Sequence, residues 1–141
     1  MSRLRPWQRM ALATVTVLVA LLLASWIAAR FLPPAWQQVV ATPLGYLAPI
    51  SYLVTAACMA LGGAMAGRRF LVVALGMTFA LWIATFVLLA NIALPTTDGV
   101  HPLFAVFRTN VASAVLSLAA AALGTDLGAR WQAHRAMRAT A

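Results

Sequence analysis

The charged residues of this chain stand at the edges of four long stretches that contain no Asp, Glu, Lys or Arg. The 141 residues include ten arginines, no lysine and two aspartates, which are the only acidic residues. The uncharged stretches are residues 10–29, 31–67, 70–97 and 109–125. A helix that crosses the hydrocarbon core of a bilayer needs roughly 20 apolar residues, and each stretch reaches or approaches that length. The pattern therefore predicts an all-α integral membrane protein whose four transmembrane helices form a compact bundle.

The composition excludes a soluble globular domain. Hydrophobic residues make up 64% of the chain and the mean hydropathy is +0.92, whereas soluble domains are about 45–50% apolar. The net charge of +8 comes from arginines that flank apolar spans, which indicates anchoring in a bilayer and not binding to nucleic acid. The single cysteine, Cys58, cannot form a disulfide within the chain. We interpret the use of arginine without lysine as the compositional bias of a GC-rich bacterial genome.

Prolines, glycines and short polar segments predict where the helices begin and end. We expect residues 1–141 to form one membrane domain. Pro33 and Pro34 end the first helix, because proline cannot continue a helix, and residues 34–44 form a linker. The predicted spans are about 7–31, 45–67, 70–94 and 104–128, followed by a basic cytoplasmic tail at 129–141. We expect the first span to remain uncleaved, and the composition of the tail suits a short helix that lies on the membrane.

The distribution of arginines predicts the orientation of the bundle. Eight arginines fall on one side of the four predicted spans and two on the other. The first group is Arg3, Arg5, Arg9, Arg68, Arg69, Arg130, Arg135 and Arg138, and the second is Arg30 and Arg108. Because cytoplasmic loops carry an excess of basic residues, we expect both termini in the cytoplasm of a multi-pass protein of the bacterial inner membrane.

Parts of the second half of the chain repeat the first half at a constant spacing. The matching pairs include Ser51 with Ser113 and Arg68 with Arg130. A shift of two spans preserves orientation, so the match is compatible with a duplicated helical hairpin. Spans rich in Ala, Leu and Gly also match by chance, and the sequence leaves both interpretations open.

Small residues form a stripe along the second span and another along the fourth. Steps of three and four residues place such residues on one face of a helix. The predicted packing residues are Ser51, Thr55, Gly62, Gly63 and Gly67 in the second span, and Ser113, Ser117, Gly124 and Gly128 in the fourth. Small residues allow helix backbones to approach closely in lipid. The pattern favours packing of these two spans inside one chain, with self-association through one of them as the alternative.

The two aspartates bear on transport chemistry. Proton-coupled and cation-coupled transporters place an ionisable group deep in the membrane. Asp98 lies in the outer loop, and Asp126 lies near the inner end of the fourth span. Asp126 stands four residues before Arg130, so an interfacial ion pair between them explains it, and Arg68 or Arg69 is a further candidate partner. Acid-coupled transport is therefore disfavoured.

Polar residues gather at the predicted outer ends of the spans. The candidate outer pocket consists of Arg30, Asn91, Asp98, His101, Arg108 and Asn110. A buried amide or guanidinium requires a partner, so these residues predict a polar pocket for an anion or a lipid headgroup. In the alternative interpretation, Arg108 reaches outward to pair with Asp98, and Asn91 caps its helix. His101 has no second histidine or cysteine at ligand spacing, so we expect no metal site and no cofactor.

Two classes of function are compatible with these features. The first is a non-enzymatic assembly, interaction or accessory subunit that works through small-residue helix faces, with the bilayer and either a second copy or a larger membrane protein as partners. The second is a small transporter, channel or lipid-handling protein that uses the outer arginine-containing pocket. No arrangement of serine, histidine and aspartate predicts hydrolytic chemistry, so we expect no enzyme.

Overall fold

A computed structural model describes residues 5–43, 45–92 and 102–138 of the chain. Its elements are helices α1 (Pro6–Phe31) and α2 (Pro34–Gln37), strands β1 (Val40–Thr42) and β2 (Gly45–Leu47), helix α3 (Pro49–Ala66), a 3-10 turn (Gly67–Arg69), and helices α4 (Phe70–Ile92) and α5 (Pro102–Arg138). Three helical stretches are long and apolar enough to cross a membrane: Pro6–Phe31, Pro49–Ile92 and Leu103–Arg138. The prediction of a helical fold of the transmembrane type is confirmed at this level.

The second of these stretches reverses direction at the 3-10 turn. Phe70, directly after the turn, lies against Gly62 of α3. Phe86, towards the other end of α4, stacks on Phe107 of α5 with a distance of 5.5 Å between the ring centroids. The first part of α5 lies beside β2, which stands just before the start of α3. The far end of α4 is therefore at the same end of the bundle as the start of α3, and α4 runs antiparallel to α3. Gly67 permits the reversal, since its φ of +71° is one that residues with a Cβ rarely adopt.

Helices α3 and α5 run parallel and form the most extensive interface of the described chain. Their glycines lie directly on the backbone of the facing helix. The contacts are Gly63 with Thr125, Gly124 with Ala56, and Gly128 with Ala60. A Cβ at any of these glycines would come closer than 3.0 Å to the facing backbone, a separation that real Cβ atoms do not show. The small-residue faces of α3 and α5 are thus packed against each other within one chain.

The buried core lies between the helices in the half of the bundle that contains the 3-10 turn. Its members are Ala13, Val17, Cys58, Met59, Phe70, Ala74 and Ala121. Phe70, Met59 and Val17 are among the largest side chains that are completely buried. α1 packs on α3 and has little contact with α4. Large apolar side chains therefore remain on the outward faces of the helices, where lipid tails would cover them in a bilayer.

The segment between α1 and α3 has more structure than a linker. β1 and β2 form an antiparallel hairpin in which Val40 pairs with Leu47 and Thr42 with Gly45. Gly45 has a φ of +115°, which closes the turn, and the Thr42 hydroxyl donates to the Gly45 carbonyl at 2.7 Å. The second span therefore begins later than the predicted residue 45. It begins at Pro49, whose fixed φ and missing N–H suit the first position of a helix.

Helix α5 is longer than the predicted fourth span of 104–128. It continues to Arg138, so the described part of the basic tail extends α5 and does not form a separate interfacial helix. No proline follows Gly128, and the tail consists largely of residues with good helix propensity. The Arg135 guanidinium lies 3.8 Å from the centroid of the Trp131 ring, one turn earlier, which adds a cation–π contact.

Candidate functional site

At the end of the bundle that holds the hairpin, Arg108 lines a shallow groove between α5 and the two strands. Thr42, Tyr46 and Thr109 line the same groove, which has a volume of about 420 Å³. Gly45 allows the hairpin to approach α5 closely, because a Cβ there would overlap the backbone of Thr109. The groove is open, and a guanidinium with hydroxyl groups beside it is suited to bind a small anion.

The other described members of the predicted outer pocket do not gather around Arg108. The Asn110 amide donates to the Val106 carbonyl at 2.9 Å, and the Asn91 amide donates to the Val87 carbonyl at 2.8 Å. Each amide therefore has a partner one turn earlier on its own helix. Arg30 is exposed in the last turn of α1. Asp98 and His101 lie outside the described residues.

A hydrogen bond between hydroxyl groups joins α3 to α5 beside this groove. The Tyr52 and Ser113 hydroxyl oxygens are 2.6 Å apart, and the backbone N–H of Ala48 donates to the Tyr52 hydroxyl at 3.2 Å. Ser117 and Thr55 instead donate to the carbonyls four residues earlier on their own helices. Two of the stripe hydroxyls, those of Thr55 and Ser117, thus bond within their own helices, whereas the Tyr52–Ser113 bond is a crosslink between α3 and α5.

A second cavity lies between the end of α1 and the start of α3. It has a volume of about 270 Å³, and Ser25, Gln37, Ser51 and Thr55 are its polar lining residues together with Gln38. The Gln37 amide donates to two carbonyls at the end of α1, at 3.0 Å to Ala28 and 2.7 Å to Leu32. The Ala28 carbonyl also accepts from the Leu32 N–H, so Gln37 adds a second donor there and supplies a donor to the Leu32 carbonyl just beyond the helix end.

At the opposite end of the bundle, Asp126 lies between two arginines. Its carboxylate is 2.6 Å from Nε of Arg130 and 3.3 Å from a terminal nitrogen of Arg68. The aspartate side chain is 32% exposed, so each pair contributes at most about 1 kcal/mol. The contact to Arg68 connects the 3-10 turn to α5. The carboxylate pairs with two arginines, which is the geometry expected of a residue that holds the 3-10 turn against α5.

A wide groove lies at this same end, between the first half of α1 and the end of α3. Arg9 of α1 and Arg69 of the 3-10 turn line it, together with Gln132 of α5, and its volume is about 1020 Å³. This groove could not be predicted from the sequence because its lining comes from three segments that are far apart in the chain. The only available signal was that Arg9 and Arg69 share the arginine-rich side.

Comparison with protein-family models, curated proteins and solved structures finds no match for this chain.

The function of the chain is therefore argued from its geometry alone. Within residues 5–43, 45–92 and 102–138, no three His, Cys, Asp or Glu side chains come together. The polar groups described above are guanidinium groups, hydroxyls and amides that bond to their own helices or to a neighbouring helix.

Proposed function

We propose that the chain is a four-span protein of the bacterial inner membrane with both termini in the cytoplasm. The grouping of arginines at one end of the bundle supports this orientation. Arg68 and Arg130 approach the same carboxylate, and Arg9 and Arg69 line the same groove. The reversal at Gly67 supports counting Pro49–Ile92 as two spans. An excess of basic residues on one side is typical of the cytoplasmic face.

Within that membrane we propose a non-enzymatic role as an assembly or accessory subunit. The observation that carries this proposal is the outward side of α4. Gly76, Ala80 and Ala84 follow steps of four residues and are all exposed, and a Cβ at Gly76 would meet nothing within 4 Å. Glycine in a helix interior is destabilising by roughly 0.5–1 kcal/mol relative to alanine. The fold of a single chain makes no use of that glycine, whereas a partner helix would gain close backbone contact from it.

The small-residue faces of α3 and α5 are not available to a partner helix, because they already pack against each other. The partner of the α4 face is a transmembrane helix, either of a second copy or of a larger membrane protein. The alternative function as a transporter or lipid-handling protein with an outer pocket has less support. Asn91 and Asn110, which were expected to demand partners in such a pocket, donate to their own helices.

Reporter fusions test the proposed topology. We expect alkaline phosphatase fused after Gln38 to be active, because the segment between α1 and α3 would face the periplasm. The enzyme fused after Arg69, or at the C-terminus, should be inactive, and green fluorescent protein at those two positions should fluoresce. Phosphatase activity both after Gln38 and at the C-terminus would contradict the four-span arrangement, since it would indicate an even number of crossings between these positions.

Co-purification of two differently tagged copies, with a proteomic readout of other captured membrane proteins, tests the assembly proposal. Gly76→Leu should reduce capture of the partner by at least about fivefold, which corresponds to 1 kcal/mol, because it fills the space that a facing helix would occupy. Ala57→Leu, on the exposed side of α3, is the matched control and should leave capture unchanged. Equal capture by wild type and Gly76→Leu would refute a contact through this face of α4.

A further inference from the structure

The groove at the arginine-rich end of the bundle combines a basic mouth with an apolar wall. Two arginines from different elements line it, Arg9 of α1 and Arg69 of the 3-10 turn. No Asp or Glu is among the described residues that line it. The carboxylate of Asp126 at the same end is engaged by Arg68 and Arg130. Both charged side chains among the described lining residues are therefore guanidinium groups, which suit an anionic occupant.

Apart from Thr14 and Gln132, most of the remaining described lining is apolar. This apolar lining continues along α1 and the end of α3 through Met10, Ala11, Val15, Met65 and Ala66. At 1.5 Å of rise per residue, Val15 lies about 9 Å further along α1 than Arg9. The alanines keep the wall concave, and the exposed Trp7 stands at the basic end, where an amphipathic ring suits the headgroup level. A bound molecule would therefore meet charge at one end and hydrocarbon along the remainder.

The volume also limits the occupant. The groove encloses about 1020 Å³, at the upper end of the roughly 300–1,000 Å³ typical of small-molecule sites. An isolated phosphate would fill only the basic mouth and leave the apolar wall uncovered. An amphipathic molecule with an anionic head and an acyl chain covers both parts. Basic pockets between transmembrane helices at the cytoplasmic side bind anionic headgroups in this way.

We propose that this groove binds one anionic phospholipid. Its phosphate lies between Arg9 and Arg69, and one acyl chain runs along Ala11 and Val15 of α1 against Met65 of α3. The site is separate from the α4 face and goes beyond the proposed function. Only the leaflet that supplies the lipid, the cytoplasmic one, depends on the proposed orientation.

Native mass spectrometry of the detergent-purified protein tests the site, because it counts retained lipids directly. Phosphatidylglycerol should bind about tenfold more tightly than phosphatidylcholine of the same chain length. Arg69→Gln and Arg9→Gln should each weaken phosphatidylglycerol binding about fivefold, the effect of one surface arginine. Arg138→Gln removes an equal charge from the end of α5, away from the groove, and should leave binding unchanged.

A steric variant separates the apolar wall from the basic mouth. Ala11→Trp should fill the groove and abolish lipid retention, whereas Ala119→Trp, on an exposed side of α5, should not. Both alanines are exposed, so both variants are expected to fold. Equal affinity for the two lipids, unchanged binding by Arg69→Gln, or displacement of the lipid by inorganic phosphate at equal concentration would overturn the proposal. Loss of partner capture in Gly76→Leu has no bearing on these outcomes, so the two proposals fail independently.

Discussion

Gly124→Leu is expected to destabilise the bundle by more than about 3 kcal/mol, the upper part of the range for overpacked sites. A Cβ alone at this position would overlap the backbone of Ala56, and backbone atoms of a packed helix cannot move aside as a flexible side chain does. The four carbon atoms of leucine would force α3 and α5 apart. The separation would also break the Tyr52–Ser113 hydrogen bond and uncover the small-residue faces. Unfolding by denaturant in mild detergent micelles measures the change.

A pair of alanine substitutions supplies the control, because glycine to alanine should lower the free energy of unfolding at one position and raise it at the other. Gly124→Ala places its Cβ against Ala56 and should destabilise. Gly76→Ala places its Cβ in open space and should stabilise by roughly 0.5–1 kcal/mol, through the better helix propensity of alanine. If both substitutions shifted stability in the same direction, the close approach of α3 and α5 would be wrong.

Phe70→Ala is expected to reduce stability by about 2–4 kcal/mol, near the range for removal of a buried phenylalanine ring from a core. The ring is 0% exposed and lies where a Cβ of Gly62 would otherwise be. Hydrocarbon transfer contributes little when lipid surrounds the bundle, so most of the loss comes from contacts that the cavity leaves unmade. The same unfolding measurement in micelles applies.

Phe79→Ala removes the same ring from the same helix and is the matched control. Phe79 is 59% exposed, so its loss should change stability by no more than about 0.5 kcal/mol.

A second test places new volume in the cavity that Phe70→Ala leaves beside Gly62. Gly62→Val should be destabilising alone and should recover part of the loss in combination with Phe70→Ala, since the two side chains compete for one space. Equal effects of Phe70→Ala and Phe79→Ala would show that Phe70 is not in the core.

The main helices could be predicted because bilayer chemistry acts on long segments. A charge inside hydrocarbon is so unfavourable that twelve charged residues outline the apolar stretches of the chain. Pro33 ends α1 and Pro49 begins α3 for the local reason that proline lacks an N–H. The orientation and the possible duplication of a hairpin stay predictions, as does the number of crossings.

Short elements and contacts between distant segments could not be predicted in the same way. β1 and β2 have three residues each, too few for an alternating pattern to emerge. The predicted fourth span ends at Gly128, which is also one of the predicted packing residues, whereas α5 continues past it and Gly128 contacts Ala60. Asn110 was expected to need a partner from elsewhere, but a helix offers the carbonyl of Val106 one turn earlier.

The parallel arrangement of α3 and α5 has a consequence for biogenesis. Neighbouring parallel helices cannot be joined by a short loop, so the chain must form α4 after α3 and before α5. During synthesis from the N-terminus, the glycine face of α3 has no counterpart until the last helix emerges from the ribosome and inserts. The largest interface of the bundle therefore closes last, and until then the nascent chain presents Gly63 and its neighbours to whatever helix the insertion machinery or the bilayer places beside them.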